Sequence, residues 1–496
     1  MNTKFLLLLM TAFQLVVLYS CTDHSVDYSR NPGDVLAFSA DTIAFDTILS
    51  SVNTPTRGFI VYNPNPKPLL ISSIALSGGK QSGFNINVDG VAGTAFENVE
   101  IGANDSLYVF VNAKLEDNNA VSPVLYLDYI VFTTNSNQQR VVLQAYGQDA
   151  YIWRGKIIET SEMLPNDKPY LIYDSLEIKE GVTLTLQEGT VFYMHPGASI
   201  QVRGTLIAQG AMDKRIVIRG DRMDHDYMVN IPYDRVPGQW GGIRFAETSF
   251  DNELDYVWIR NGSYGLSFDS SDPERLKLKI KNSVVTNVTG NLIVAENCHI
   301  EGENCEFSNS RYALLQLAGG KYRFVHCTLA NCYPSVKQWQ YSVNPTVTLS
   351  NKTYATDAAG GLQAPVAAPL LQADFMNSII WSPNLQSGKI QLQPDTDDFP
   401  DTPFNCHFHH CLLLHDGIND DRFTACVFNE NPLFVNTSLT DDEARSIPYD
   451  FRLDSMSLAR GIADPLIAQE LPVDMNGISR IQDESADPGA YQYHNE

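Results

Sequence analysis

Positive charge is what this chain is short of. Its 496 residues carry 34 Lys+Arg against 58 Asp+Glu, a formal charge of −24. A surface that negative repels phosphate backbones, which sets nucleic acid aside as a partner. Cysteine is unevenly spread: none stands between Cys21 and Cys298, so no disulfide supports the first half. The P-loop, the dinucleotide fingerprint, the nucleophile elbow and the zinc-protease motif are all missing, and with them the usual markers of several enzyme classes. What remains is ordinary for a folded protein, with 44% hydrophobic and 10% aromatic residues. The length allows two or more domains, each with a full core.

A short phrase returns through the second half: KNSVVTN at 281–287, ENCEFSN at 303–309, VHCTLAN at 325–331, MNSIIWS at 376–382 and HHCLLLH at 409–415. Its third place is always small (Ser283, Cys305, Cys327, Ser378, Cys411), and its fifth is large and apolar (Val285, Phe307, Leu329, Ile380, Leu413). That period of two marks a strand with one buried face. The first two intervals are 22 residues and the later ones 51 and 33, as in a solenoid with loops inserted between some coils. Stacked coils place equivalent residues about 4.8 Å apart. Ser283, Cys305 and Cys327 should then form one ladder, and Asn287, Asn309 and Asn331 a second at a turn. Parallel strands joined by crossovers are right-handed almost without exception, so the expected fold is all-β and contains a right-handed parallel β-helix.

From the start of the chain, residues 1–20 have the layout of a secretory signal, with Lys4 followed by a mostly apolar run from Phe5 to Phe13. That run is too short to span a bilayer. Leu18, Tyr19 and Ser20 before Cys21 resemble the lipobox of bacterial lipoproteins. The resemblance implies cleavage before Cys21, a diacylglycerol on its sulfur and attachment to a membrane. Thr22 rather than Asp follows, which in that family points to the outer membrane. Residues 21–34 read as a polar tether. Between 35 and 150, seven alternating runs (DTIAFDTIL, RGFIVYN, PLLISSIAL, NINVDG, SLYVFVNA, LYLDYIVFTTN and RVVLQAYG) are separated by turn signals such as NPNPKP. They suggest an immunoglobulin-like β-sandwich. FIVYNPNPKPLLISSI and VVLQAYGQDA resemble Hydin-like immunoglobulin modules of bacterial surface proteins, which implies a spacer or binding module without catalysis.

The solenoid should occupy 151–496. Its opening, LEIKEGVTLTLQEGTVFYMHPGASIQVRGTLIAQG, offers Ile178, Val182, Leu184, Val191, Ile200, Val202 and Leu206 for the inward face. That stretch, with KRIVIRGDR, PGQWGGIRF and the closing VDMNGISRIQDESADPGAYQ, resembles β-helix surface proteins of Bacteroidetes type. The likeness runs from about 153 to 493 and implies a terminal segment that covers the open end of the stack. Seven cysteines lie in this half, with Cys327–Cys332 and Cys406–Cys411 as the first candidates for disulfides in an exported chain.

Three constellations could carry chemistry. The polar loop after 220 holds Asp221, Asp224, His225 and Asp226, a density of oxygens that suits Ca²⁺ or a glycosidase acid–base pair. Beside it, Arg219, Arg244, Trp258 and Arg260 should point outward if Ile218, Ile243, Val257 and Ile259 point in, with Trp240 on the same flank. Arg and Trp bind acidic sugars by forked hydrogen bonds and stacking. The competing account pairs these arginines with Glu247, Asp251 and Asp255. The third is CHFHHCLLLHD, with His407, His409, His410, His415 and Asp416. There the alternation of a strand would put His410 on the face opposite His407 and His409. The resulting expectation is a lipid-anchored envelope protein presenting its β-helix to a glycan or surface protein without assigned catalysis. A polysaccharide lyase or glycoside hydrolase and a structural spacer or adhesin are the alternatives.

Overall fold

The computed structural model describes residues 26–226, 231–333, 344–356, 362–417, 420–437, 449–482 and 485–495. Cys21 and the signal segment lie outside them. The chain divides into two compact units, Met1–Asp149 and Ala150–Glu496.

The first unit is a sandwich of two five-stranded sheets. One has the order Ala37–Phe38, Arg57–Tyr62, Ser106–Ala113, Phe84–Val88, Val91–Gly93, and the other Thr42–Leu49, Asn137–Gln148, Val124–Thr134, Leu69–Leu76, Ala95–Ile101. All seven strands read from alternation are present. The three it did not find are two very short ones and Ala95–Ile101, whose side chains are mostly exposed and leave no apolar period. Every second side chain faces a core that includes Phe59, Val61, Val109, Ile71, Ile130, Phe132 and Leu143. Thr42–Leu49 runs parallel to Asn137–Gln148, while the other pairs are antiparallel. Part of the expected tether is bound to this unit: Ser29 is buried and donates its backbone N–H to Pro68 O at 2.9 Å.

The second unit is a parallel β-helix whose 18- and 10-stranded sheets form three faces. A first face carries strands such as Val257–Arg260, Val284–Val288 and Glu306–Ser310; a second carries Ile243–Phe245, Leu266–Phe268 and Ile293–Glu296; a third carries Asn252–Asp255, Leu278–Lys281 and His299–Glu303. The fifth-place ladder is in register as read, Val285 beside Phe307, Leu329, Ile380 and Leu413. It continues upward through Ile259, Ile218 and Phe192, and all eight side chains are fully buried. On the third face Phe324, Phe375, Phe408 and Phe423 stack ring on ring at 5.3, 5.0 and 4.9 Å. One inward assignment is corrected: Val191 faces out, because the register of its strand with Ile216–Gly220 sets Phe192 and Met194 inside.

The corner between the third and first faces depends on backbone shape. Asn282, Asn304, His326, Asn377 and His410 all have φ between 45° and 53°, the left-handed region that Asn tolerates best among residues with a side chain. The next residue is the small one of the repeat, where little room is left. The thiol of Cys305 reaches the Glu303 carbonyl at 3.2 Å, and the Ser378 hydroxyl donates to Met376 O at 2.9 Å and accepts from Cys327 N at 3.0 Å. Seven cysteines are free among the described residues, so the candidate disulfides are not formed. Cys305, Cys327 and Cys411 point into the core as part of this ladder and serve as small buried apolar groups.

The terminal segment, in its described residues, lies along the side of the stack rather than over its end. It returns along the first face as a strap over the outward column Trp258, Val284, Glu306, Thr328, Ile379 and Leu412. Phe434, Phe451 and Leu453 pack on Ile379, Trp381 and Leu412, and Met475 and Ala490 on Val284 and Trp258. Ala490 N donates to Thr328 Oγ1 at 2.9 Å. Buried Arg480 donates to Asn304 Oδ1 and to the carbonyl of Gly489, both at 3.0 Å. Burial draws its guanidinium down to about 10.

His326 sits in that corner with no exposed surface, its Nε2 3.0 Å from the Asn377 amide. Burial, with Arg480 adding its charge, pushes this imidazole well below its ordinary value. A base whose folded pKa is depressed contributes stability that is complete above its unfolded value, about 6.5, and is lost as the pH falls below it. Stability should therefore fall with acidification below about pH 6.5, by at most about 1.4 kcal/mol per pH unit from this group. His326→Asn, which supplies the residue found at three sister corners, should flatten that part of the urea-denaturation profile. An unchanged slope in the variant would remove His326 from the account.

Candidate functional site

The residues expected to form one basic and aromatic stripe are distributed over separate faces. Arg219 and Arg260 stand on the first face, and Arg244 on the second. Trp240 is not on a surface at all: it is 1% exposed, and its Nε1 donates to Arg260 O at 2.8 Å. Gly241 and Gly242 let the chain pass close to Ser199 and Tyr264 there, where a Cβ would lie 2.9 and 2.5 Å from their atoms. Trp258 does face outward, but Met475 and Ala490 of the strap pack against it and the Arg215 guanidinium lies 4.7 Å from its ring. The ring is left half-buried, with part of its area taken up by these neighbours.

Each arginine of the set has an acidic partner, though not the acids the sequence suggested. Asp234, from the short helix Tyr233–Arg235, lies between two of them, 2.9 Å from both Arg219 and Arg260. Arg244 holds Asp269 with two hydrogen bonds of 2.9 Å. Asp251 instead meets Arg275, and Asp255 accepts from Asn282. The loop carboxylates are committed in the same way. Asp224 takes two 2.6 Å bonds from Arg222, whose guanidinium covers Tyr233 at 3.8 Å. Asp221 lies 2.6 Å from His195 Nδ1, and burial raises its pKa against the pull of that ring. These described carboxylates thus turn to separate basic partners rather than converging on the oxygen cage that Ca²⁺ requires. The side chains of His225 and Asp226 lie outside the described residues.

The His195–Asp221 pair, with the Tyr173 ring tilted against the imidazole at 4.2 Å, is the part of this flank that resembles an acid–base couple. Sequence reading missed it because the two residues are 26 apart, one coil of the stack.

The three outward surfaces differ in what they leave available. The first is covered by the strap over much of its length. The third carries Glu253, Lys279, Glu301, Arg323 and Asp374 in one register column, with signs alternating from coil to coil, and His407 stands next in it. Its charges are spent on neighbours, as in Lys279–Glu301 at 3.4 Å, Lys281–Glu303 at 3.2 Å and Arg323–Glu303 at 3.5 Å. The second presents Gln201, Arg244, Ser267, Val294, Gln316, Thr348 and Gln391 in register, mostly uncharged groups that both donate and accept. At its far end Ile390, Gln391, Leu392, Gln393, Pro394, His415 and Arg422 line an open groove of 540 Å³.

No known family profile matches the chain. Protein bark beetle of Drosophila melanogaster is 27% identical over 84 residues, which is 17% of this chain and 3% of the fly protein, so the chain spans a small fraction of that relative. Among solved structures, the Agl-KA catalytic domain aligns over 76% of this chain and 80% of its own at 11% identity, with a TM-score of 0.15. A PapD-like domain of human CEP192 aligns over 26% and 95% at 10% identity, with a TM-score of 0.16. Likenesses this slight establish neither fold nor activity. No helix among the described residues is long and apolar enough to cross a membrane.

Asp234→Asn would leave two largely buried guanidinium groups, 13% and 21% exposed, without their shared counter-charge. Because Asp234 itself is 39% exposed, solvent offsets part of the loss, and the expected cost is about 1–3 kcal/mol in urea denaturation. Raising the salt should recover part of it. A variant as stable as the wild type would show that the pairing contributes nothing.

Proposed function

We propose that this protein is a lipid-anchored component of a bacterial cell envelope, of the Bacteroidetes surface-solenoid type, that binds an extended glycan along the second face of its β-helix. The observation that carries the reading is the column of Gln, Ser and Thr leading to the groove at Gln391 and Gln393. Planar amides and hydroxyls spaced by about 4.8 Å suit a chain of sugar hydroxyls; Arg244, in the same column, keeps its charge on Asp269. Of the other two faces, one is covered by the strap and the other is taken up with ion pairs. The anchor rests on the lipobox-like approach to Cys21, and the outer membrane on Thr22.

A catalytic reading, lyase or hydrolase, rests on His195 and Asp221 alone. The two separate in one experiment. A panel of neutral and uronate-rich glycans is offered to the chain and scored for binding, sugar release and absorbance at about 235 nm, the signature of a C4–C5 double bond left by proton abstraction beside a uronate. Binding that Gln316→Ala with Gln391→Ala weakens at least tenfold, and that Trp258→Ala leaves intact, is the expected result. Unsaturated product that His195→Ala abolishes would replace the binding reading with catalysis, and silence on all glycans would sink both. In cells, Cys21→Ala should release the protein from the membrane fraction.

A further inference from the structure

The histidine-rich phrase at 406–416 acquires a meaning in three dimensions that alternation along a strand denies it. His409 ends the third-face strand His407–His409, and His410 is the left-handed corner residue, with φ of 51°. That turn reverses the usual opposition of consecutive side chains. The two imidazoles lie side by side, ring centres 4.5 Å apart. Facing them is Asp464, brought from the strap, whose Oδ2 is 2.8 Å from His409 Nε2. One ligand atom from each of His409, His410 and Asp464 lies within 4.8 Å of the others, and all three residues are half-buried.

We propose that His409, His410 and Asp464 form a site for one divalent transition-metal ion of the zinc class, which ties the strap to the solenoid.

Two imidazoles and a carboxylate are the donor set of zinc, nickel or copper rather than of calcium. Metal–nitrogen distances of about 2.1 Å place tetrahedral ligands roughly 3.4 Å apart. The cluster must close by about an ångström, which side-chain rotation supplies at a half-buried site. His410 is already oriented for it: Nδ1 is 2.7 Å from the carbonyl of Ile462, the second-shell bond that fixes the tautomer and leaves Nε2 for a metal. Asp464 is held as well. Its backbone exchanges hydrogen bonds with the Asn377 side chain at 2.8 and 3.0 Å, and its Oδ1 caps Leu466 N at 2.8 Å. Oδ2 is the oxygen left to bind. His407, the other histidine of the strand, is 3.4 Å from Asp374 and takes no part.

The test is calorimetric titration of Zn²⁺ into the chelator-treated, desalted intact chain, with Mg²⁺ as a control and thermal unfolding with and without Zn²⁺ as a second readout. One saturable site is expected, weakened at least tenfold in His410→Ala and in Asp464→Asn and unchanged in His407→Ala. Asn keeps the cap on Leu466, so Asp464→Asn should fold and yet lose the Zn²⁺-dependent rise in Tm; circular dichroism checks that it does. Absence of a stoichiometric site in the wild type, or wild-type affinity in both Asp464→Asn and His410→Ala, overturns the proposal.

Discussion

The stack depends on one corner made the same way in coil after coil. A residue with positive φ turns the chain from the third face to the first, and the residue after it must be small, because its side chain enters the corner beside carbonyls of its own coil and of the coil above. Where that pair stands, the strands that follow are in register without further adjustment, and Val285, Phe307 and Leu329 meet as a continuous apolar column. In a parallel stack a slip of one residue turns every core side chain outward. The corner therefore does more than change direction: it sets which side chains are core. Side-chain amides and hydroxyls add bonds between levels, as Asn304 to Asn282 at 3.3 Å and Thr286 to Ser308 at 2.7 Å show.

Much of this was legible from residues alone, and what was not has definite causes. The third and fifth places of the repeat carried the small ladder and the core. The second place, occupied by Asn282, Asn304, His326, Asn377 and His410, carried the corner, and its meaning appears only once φ is known: Asn and His look like turn polarity until the left-handed backbone is seen. Alternation also reports direction and not exposure. It placed Trp258 outward correctly, yet the cover comes from Met475 and Ala490, more than two hundred residues on. Trp240 defeated it for another reason, since Gly241 and Gly242 leave the strand pattern and let the indole turn in. The arginines were read as outward and are so, but Asp234 and Asp269 were not identified as their partners, because each lies outside the strands whose alternation was read, Asp234 in a short helix and Asp269 just after Leu266–Phe268.

The strap changes what the solenoid can be. An uncovered β-helix would show water the apolar column Val284, Ile379 and Leu412, and such a surface invites association. The described residues of the strap cover it and are held in place without long elements of their own. Asp474 accepts from Asn476 N, Ile478 N and Gln492 N at 2.7–2.8 Å, and Asp487 accepts from Gly461 N and Tyr493 N at 2.7 and 2.8 Å. Buried carboxylates used this way fold a loop as a helix or strand would fold it, by satisfying backbone donors. Arg480 between them and Asn304 then joins the strap to the corner ladder, so cover and stack are held by the same residues.

This arrangement bears on function by subtraction. A solenoid offers as many surfaces as it has faces, and each is a regular array that a complementary array could bind. Here the first face is occupied by the chain itself. The third is neutralised by charges that alternate in the stacking direction; like charges one level apart would repel, so the alternation favours register and also leaves little free field for a ligand. The second keeps mostly uncharged groups over many levels, several of them bonded to neighbours on the same face, as Gln201 to Ser199, Gln316 to Asn291 and Gln391 to Gln393, and it ends in a groove. A ligand that gains one weak contact per coil gains affinity with length, which is the behaviour expected toward a polymer rather than a small molecule. The same subtraction explains why the charged residues that looked most chemical in the sequence are poor places to seek a substrate: their charge is already part of the structure.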